Sequence, residues 1–418
     1  MSSRRCWLVL LAGCVLSSLL LYYLARWGDD RHLAWWFGRG NVSYVTYFPH
    51  RAWRNQSTKT ILLWTTRFGR PFWALAGYET FKSCKVSACE FITDHNRIND
   101  SDALLFHPKD KDLLIEPLPT HHPDHQVWVL VNHEPLFRLD LDFSRYDGVF
   151  NWTAMYRRDA DVYSPYGGLM RRDKPFQSWE TETDPDLLSL GRTPHNVSGF
   201  PPSLAASKKL ALTDFHAQKT KLVAWVSSNC VDQSRRRRVV NQLSRHLPID
   251  MYGDCGNLTL GKSEQDSVLT NYRFFLSFES SLCRDYVTEK FWAALGQNQI
   301  PVVFGAADYS QVAPPNSFMD VRDFRSVRDL ADYMKEVDSN PSLYNQHLWW
   351  TQYYRAVSDY QLFMTCELCR VLHDGRRPAK TYTDLQGWLS NDTCSMHSMF
   401  DTVSRTVEGH LLRKDIIP

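Results

Sequence analysis

Phe274-Phe275-Leu276-Ser277-Phe278-Glu279-Ser280-Ser281 runs on into Leu282-Cys283-Arg284-Asp285-Tyr286-Val287-Thr288-Glu289-Lys290-Phe291-Trp292, and this stretch decides the fold. Its first five residues are apolar enough for a buried strand. Thr288 to Gln297 reads as a helix with Thr288 as N-cap. Ile300-Pro301-Val302-Val303-Phe304 then gives a second strand. Strand, helix and strand in this order are the unit of a parallel sheet.

The same alternation extends on both sides. Upstream, Leu222-Val223-Ala224-Trp225-Val226 is strand-like, and Gln233 to His246 forms a helix pattern with Val239, Val240, Leu243 and Leu247 on one side. Ile249-Asp250-Met251-Tyr252 is a short strand before a glycine turn, and downstream Val327 to Val337 is an amphipathic helix. An earlier block carries short apolar runs at Ile61–Trp64, Ala103–Phe106 and Val127–Val131. A polar stretch containing prolines, from Arg171 to about Lys209, separates the two blocks. The fold class expected is α/β, with two Rossmann-like domains facing a cleft.

The chain has 418 residues, 43% apolar and 22% charged, which suits two globular domains and excludes wholesale disorder. Lys and Arg number 48 against 46 Asp and Glu, and Arg4 with Arg5 accounts for the difference of +2. Nucleic acid is therefore excluded as a partner, since phosphate binding needs a clustered cationic footprint. The run Arg235-Arg236-Arg237-Arg238 is too short to change that.

Cys6 to Ala25 is free of formal charge, follows Arg4 and Arg5, and is long enough at about 1.5 Å per residue to cross a bilayer. The positive-inside bias keeps residues 1–5 cytoplasmic and sends the rest across as a signal anchor. Residues 26–58 lack periodicity and read as a stem. Beyond the anchor lie seven Asn-X-Ser/Thr sites, at Asn41, Asn55, Asn99, Asn151, Asn196, Asn257 and Asn391. Eight cysteines follow as well: Cys84, Cys89, Cys230, Cys255, Cys283, Cys366, Cys369 and Cys394. An even number in an oxidising lumen means up to four disulfides.

The chemistry concentrates where the opening stretch turns from strand to helix. Tyr286, Glu289 and Lys290 cluster at a helix N-terminus, whose N–H groups and dipole favour an anion. A carboxylate alongside accepts hydrogen bonds from ribose hydroxyls. Competing signals are weaker. Asp-X-Asp occurs at Asp140/Asp142, Asp159/Asp161 and Asp184/Asp186, a pattern with which metal-dependent glycosyltransferases hold a divalent ion, but chance alone gives about two. His121-His122-Pro123-Asp124-His125 lacks the helical spacing of a zinc motif.

From about Trp128 to Trp350 the chain resembles the alpha-1,3-fucosyltransferases, Golgi type II membrane enzymes of the GT-B type. The Phe278-Glu279-Ser280-Ser281…Asp285-Tyr286-Val287-Thr288-Glu289-Lys290 block carries the resemblance, joined by Val226-Ser227-Ser228-Asn229, Arg236, Tyr252-Gly253 and Pro301–Gly305. Ala313–Phe318, Asn132-His133-Glu134-Pro135, Tyr156–Asp161 and Pro165-Tyr166-Gly167 complete it. Ser280 stands where relatives have Asn, Phe275 where they often have Tyr, and no Ser separates Glu134 from Pro135. Cys230, Cys255 and Cys283 are similar to features of the branch acting on the N-glycan core.

The resemblance implies an inverting enzyme that moves fucose from GDP-fucose to a GlcNAc 3-hydroxyl of glycoprotein glycans, with no obligatory metal. It implies an acceptor-side domain at 59–205, a donor domain at 206–362 and a C-terminal segment at 363–418. Cross-pairing of Cys84 and Cys89 with Cys366 and Cys369 would strap that segment back, while Cys230, Cys255, Cys283 and Cys394 allow three pairings. Glu134 is the implied base and Tyr166 lies on the acceptor side. Ser228, Asn229, Arg236, Phe275, Ser280, Tyr286, Glu289 and Lys290 bind the donor, with Arg236 offering a bidentate fork to the diphosphate. Three rival readings remain: an inactive relative that binds carbohydrate in the lumen, a metal-dependent glycosyltransferase, and a stem-anchored structural glycoprotein without nucleotide affinity.

Overall fold

Strand formation in both halves follows from burial on two faces, which turns a parallel strand into an unbroken apolar run. The computed structural model describes residues 45–47, 58–66, 78–108, 118–139, 141–172, 213–261, 265–375, 377–391 and 393–394. The tail at 1–5, the anchor at 6–25, Asn41, Asn55, Asn196, Asp140 and the Asp184/Asp186 pair lie outside them.

Strand β1 is Val45–Tyr47, followed by β2 (Lys59–Leu63), β3 (Cys89–Ile92), β4 (Ala103–Phe106), β5 (Val127–Asn132), β6 (Trp152–Met155), β7 (Val162–Tyr163) and β8 (Gly168–Arg171). Strands β2 to β7 form a sheet in the order β3-β2-β4-β5-β6-β7, parallel throughout. Alternation sends Ala103, Leu105, Val127, Val129 and Val131 into one core, and Leu104, Phe106, Trp128 and Leu130 into the core on the other face.

The second block gives β9 (Lys221–Val226), β10 (Asp250–Tyr252), β11 (Tyr272–Phe278), β12 (Ile300–Phe304) and β13 (Met319–Asp320). They form a second parallel sheet, β10-β9-β11-β12-β13. Helices Arg236–Leu243 and Val327–Ser339 bury Val239, Val240, Leu243, Leu330 and Met334 against one face of it. The first of these helices is shorter than its pattern, because Arg235 takes a left-handed φ of 54° and stops it from starting earlier.

The C-terminal part does more than lie across the first half. Helix Tyr360–His373 supplies Met364, Leu368, Val371 and Leu372 to one core of the first sheet. Tyr382, Leu385 and Leu389 complete the core on the other face. Strand β14 (Tyr354–Val357) pairs antiparallel with β8, and β15 (Lys380–Tyr382) with β1. Residues 45–47 therefore belong to the folded part rather than to the stem: the β-branched and aromatic triplet Val-Thr-Tyr pairs as a strand. From Val45 onward both sheets lie in one unit.

Disulfides join Cys84 to Cys366, Cys89 to Cys369, Cys230 to Cys255, and Cys283 to Cys394. The first two bond helix Tyr360–His373 to the first half. Of the described sequons, Asn99, Asn257 and Asn391 are exposed. Asn151 is half-buried and hydrogen-bonded through its side chain. Its oxygen accepts from the Trp128 N–H at 2.8 Å and its amide donates to the Lys380 carbonyl at 3.0 Å.

Candidate active site

Where β11 ends, Glu279, Ser280 and Ser281 are buried, and helix Glu289–Gly296 starts alongside. Glu279 is wholly inaccessible. Its carboxylate accepts from the Thr288 N–H and hydroxyl, both at 2.8 Å, and faces Lys290 Nζ at 3.7 Å. Thr288 thus spends its hydroxyl on Glu279 and not on capping the helix. Lys290 Nζ donates to Thr288 Oγ1 at 2.8 Å and to Glu289 Oε1 at 3.0 Å.

Burial pushes the Glu279 carboxyl up, although the Lys290 charge and the Thr288 hydrogen bonds pull it back. Burial alone would lower Lys290, but the carboxylates of Glu279 and Glu289 outweigh it and raise the ammonium. For Glu289, burial is outweighed by the Lys290 charge and hydrogen bond, which hold it below the usual range. Lys290 is thus a fixed cation at a helix N-terminus, a setting suited to an anionic ligand.

Arg236 lies nearby and adds its charge to that of Lys290. Its fork is not open, contrary to the expected bidentate contact with a diphosphate. Nε pairs with Asp232 at 2.8 Å, Nη1 donates to the Phe278 carbonyl at 2.6 Å, and Nη2 to Ser227 Oγ at 2.9 Å. The side chain is buried, and its geometry ties β9 to β11 while its charge remains local. Gly253, at φ 81°, keeps this region tight, because a Cβ there would meet the Ser227 carbonyl.

Glu134 follows β5 on the first sheet. The Asn132 side chain braces it from both sides, accepting from its N–H at 2.9 Å and donating to its carbonyl at 2.7 Å. Arg138 Nε approaches its carboxylate at 3.5 Å, and Arg138 Nη1 reaches Ser280 Oγ at 3.3 Å. With the Asn229 amide turned so that its oxygen faces Arg138, that oxygen accepts from Nη1 at 3.2 Å.

Aromatic rings complete the junction. Tyr286 packs edge-on against Tyr156 at 5.0 Å and Tyr166 at 6.0 Å, and the Tyr166 hydroxyl donates to the His133 carbonyl. Burial first, then the nearby charges of Glu279, Glu134 and Glu289, hold the Tyr286 phenol protonated well above its ordinary range. Gly167 lets β8 come close: a Cβ there would collide with Trp292 and the Val357 carbonyl. Arg284 pairs with Asp159 at 2.8 Å, and Asp285, at φ 61°, accepts from the Arg158 N–H at 3.1 Å. The loop bearing Tyr286 is thereby fastened to the first half.

The junction brings together Glu134, Tyr166, Asn229, Arg236, Ser280, Tyr286, Glu289 and Lys290. Ser228 stands exposed beside Asn229. Phe275 is elsewhere: it packs with Ala224, Tyr252, Leu269, Tyr272 and Ala294 in the sheet interior. Sequence reasoning missed Arg138, Asp232, Glu279 and Thr288 as parts of the site. Arg138 and Asp232 each left a signal, their i,i+4 spacing from Glu134 and Arg236. Among the Asp-X-Asp pairs, Asp159 is held by Arg157 and Arg284, and Asp161 by Lys380 at 2.5 Å and Tyr382 at 2.7 Å.

Residues 216–388 match the glycosyltransferase family 10 (fucosyltransferase) C-terminal domain, and residues 56–167 the fucosyltransferase N-terminal domain. Alpha-(1,3)-fucosyltransferase C of Drosophila melanogaster is 36% identical over 359 residues, covering 82% of this chain and 80% of the relative. The chain belongs to the alpha-1,3-fucosyltransferase family. Its members are glycosyltransferases, and this fucosyltransferase is also similar to glycoprotein 3-alpha-L-fucosyltransferase A of the same organism, at 29% identity over 83% of the chain and 64% of the relative. A crystal structure of alpha1,3-fucosyltransferase with GDP aligns with 83% of the fucosyltransferase and 94% of its own chain, at 16% identity and TM-score 0.41.

Proposed function

We propose that the chain transfers fucose from GDP-fucose to the 3-hydroxyl of a GlcNAc in glycoprotein N-glycans, with inversion at the sugar carbon. The observation carrying this reading is the meeting of two strand ends. Glu134 after β5 and the Glu279–Lys290 block after β11 lie within reach of one guanidinium, that of Arg138. A departing GDP needs its growing negative charge met by fixed cations, and Lys290 with the helix N-terminus supplies them at the surface, with Arg236 behind. Glu289, Asn229, Ser228 and Ser280 orient the nucleotide, and Tyr286 and Tyr166 wall the sugar side. Glu134 takes the proton from the attacking hydroxyl, and attack on the beta-linked donor gives an alpha product.

In this reading the two sheets are the two halves of a GT-B enzyme, the acceptor half at 59–205 and the donor half at 206–362. A divalent metal is not obligatory and at most stimulates, since cationic side chains do its work and Asp159 and Asp161 are engaged in ion pairs. The apolar run at 6–25, the four disulfides and the exposed sequons support a single-pass type II Golgi protein with its catalytic part in the lumen. The name of the second Drosophila relative supports a glycoprotein acceptor.

A soluble form starting just after the anchor, incubated with GDP-fucose and a glycan panel in EDTA, tests the proposal. Alpha-1,3-linked product is expected; saturable glycan binding without transfer, or transfer only on adding metal, overturns it. Glu134→Gln should lower transfer at least about a hundredfold with GDP binding intact. A variant within threefold of the parent rate rules Glu134 out as the base.

A further inference from the structure

The Arg138 side chain touches both the proposed base and the donor-side residues. Its Nε lies 3.5 Å from the Glu134 carboxylate and its Nη1 3.3 Å from Ser280 Oγ; with the Asn229 amide turned to face it, Nη1 also donates to that amide oxygen at 3.2 Å. The first contact is on its own segment, one helical turn away, whereas the other two lie on loops after β11 and β9. A guanidinium is planar, so donors on one edge fix the direction of the others. Movement of Ser280 or Asn229 therefore turns the edge that faces Glu134. The Glu134 charge in turn bears on the buried phenols of Tyr156, Tyr166 and Tyr286, raising each of them.

We propose that Arg138 is the positioning residue that aims the Glu134 carboxylate and couples its aim to the donor-side loops. The inference rests on Glu134 being the base. Its chemistry is that of an ion pair: the carboxylate is held against Nε and so presented to the acceptor hydroxyl. No acceptor or nucleotide contact is required of Arg138 itself.

The test is a double-mutant cycle on the soluble enzyme, with transfer followed by radiolabelled GDP-fucose and GDP affinity measured separately. Arg138→Gln should lower kcat about tenfold or more while GDP affinity stays within threefold. In the Glu134→Gln background the same change should cost less than about threefold, because there is no base left to aim. Arg138→Lys, which keeps the charge and loses the planar fork, should recover only part of kcat. Equal losses in both backgrounds overturn the proposal and make Arg138 a purely structural residue. A parallel fall in GDP affinity also overturns it, making Arg138 a donor ligand. If Glu134→Gln alone stays within threefold of the parent, the base assignment fails and this inference falls with it.

Discussion

Lys290→Met separates the two tasks that Lys290 performs. The substitution keeps the length of the stem and removes the ammonium, so Glu279 loses the cation 3.7 Å away while remaining completely buried. Breaking a buried pair by removing one partner costs about 3–5 kcal/mol when the survivor stays charged. Here the survivor has a way out. Its carboxyl is already pushed up by burial, Lys290 is the largest influence opposing that, and Thr288 continues to hydrogen-bond it.

In the variant, folded Glu279 therefore binds its proton more tightly than the unfolded residue does. With more protons on the folded side, stability falls as pH rises above the unfolded value, by at most about 1.4 kcal/mol per pH unit, until the folded carboxyl ionises. Urea unfolding at pH 5 and pH 7.5 should show a small deficit against the parent at the lower pH and a clearly larger one at the higher. Adding Glu279→Gln should remove most of that pH dependence and leave GDP binding as weak as in Lys290→Met, by about 1.5–3 kcal/mol. A deficit of equal size at both pH values would refute the coupling of Glu279 with Lys290. Unchanged GDP affinity would refute the cation role.

The strap disulfides should be strongly non-additive. With one in place, the other closes only a small ring between Cys84–Cys89 and Cys366–Cys369, so removing either alone should cost about 2–3 kcal/mol, and removing both about 7–8, by the chain-entropy relation. Non-reducing peptide maps check the pairing, and a Cys366–Cys369 peptide would overturn it. Lys219 offers an alkaline test: burial, then the Arg273 charge, push its ammonium down to about 8 from 10.5. The unfolded chain holds that proton up to 10.5, so between pH 8 and 10.5 this residue should add up to about 3 kcal/mol of stability, a rise missing from Lys219→Met in pH-dependent unfolding.

Sheet strands were legible where both faces are buried, as in Val127–Asn132 and Ile300–Phe304, because the run then needs no alternation to be seen. Helix Tyr360–His373 was not read from the pattern: its cysteines drew attention to disulfide chemistry, while its mixed burial leaves a poor amphipathic stripe. Within the site, Glu289 and Lys290 were readable from a strand-to-helix turn. Phe275 was expected at the donor only through the resemblance, from a position where relatives often have Tyr; the pleat buries its ring in the cluster with Ala224 and Tyr272. The occupied fork of Arg236 depends on Asp232, one turn earlier, and on the Phe278 carbonyl, a long-range partner that no local pattern announces.

Synthesis order gives the bond between Cys89 and Cys369 a temporal meaning. The two cysteines are 280 residues apart, so at about 5–20 residues per second the first waits roughly 15–55 s for its partner to be made. During that wait one face of the first sheet lacks Met364, Leu368 and Val371, and both early thiols are open to wrong partners. Cys230 and Cys255, only 25 residues apart, can close on each other as soon as they emerge, which takes the nearest competitors out of circulation. A ribosome that stops before residue 360 therefore leaves not a shortened enzyme but an N-terminal half that was never finished.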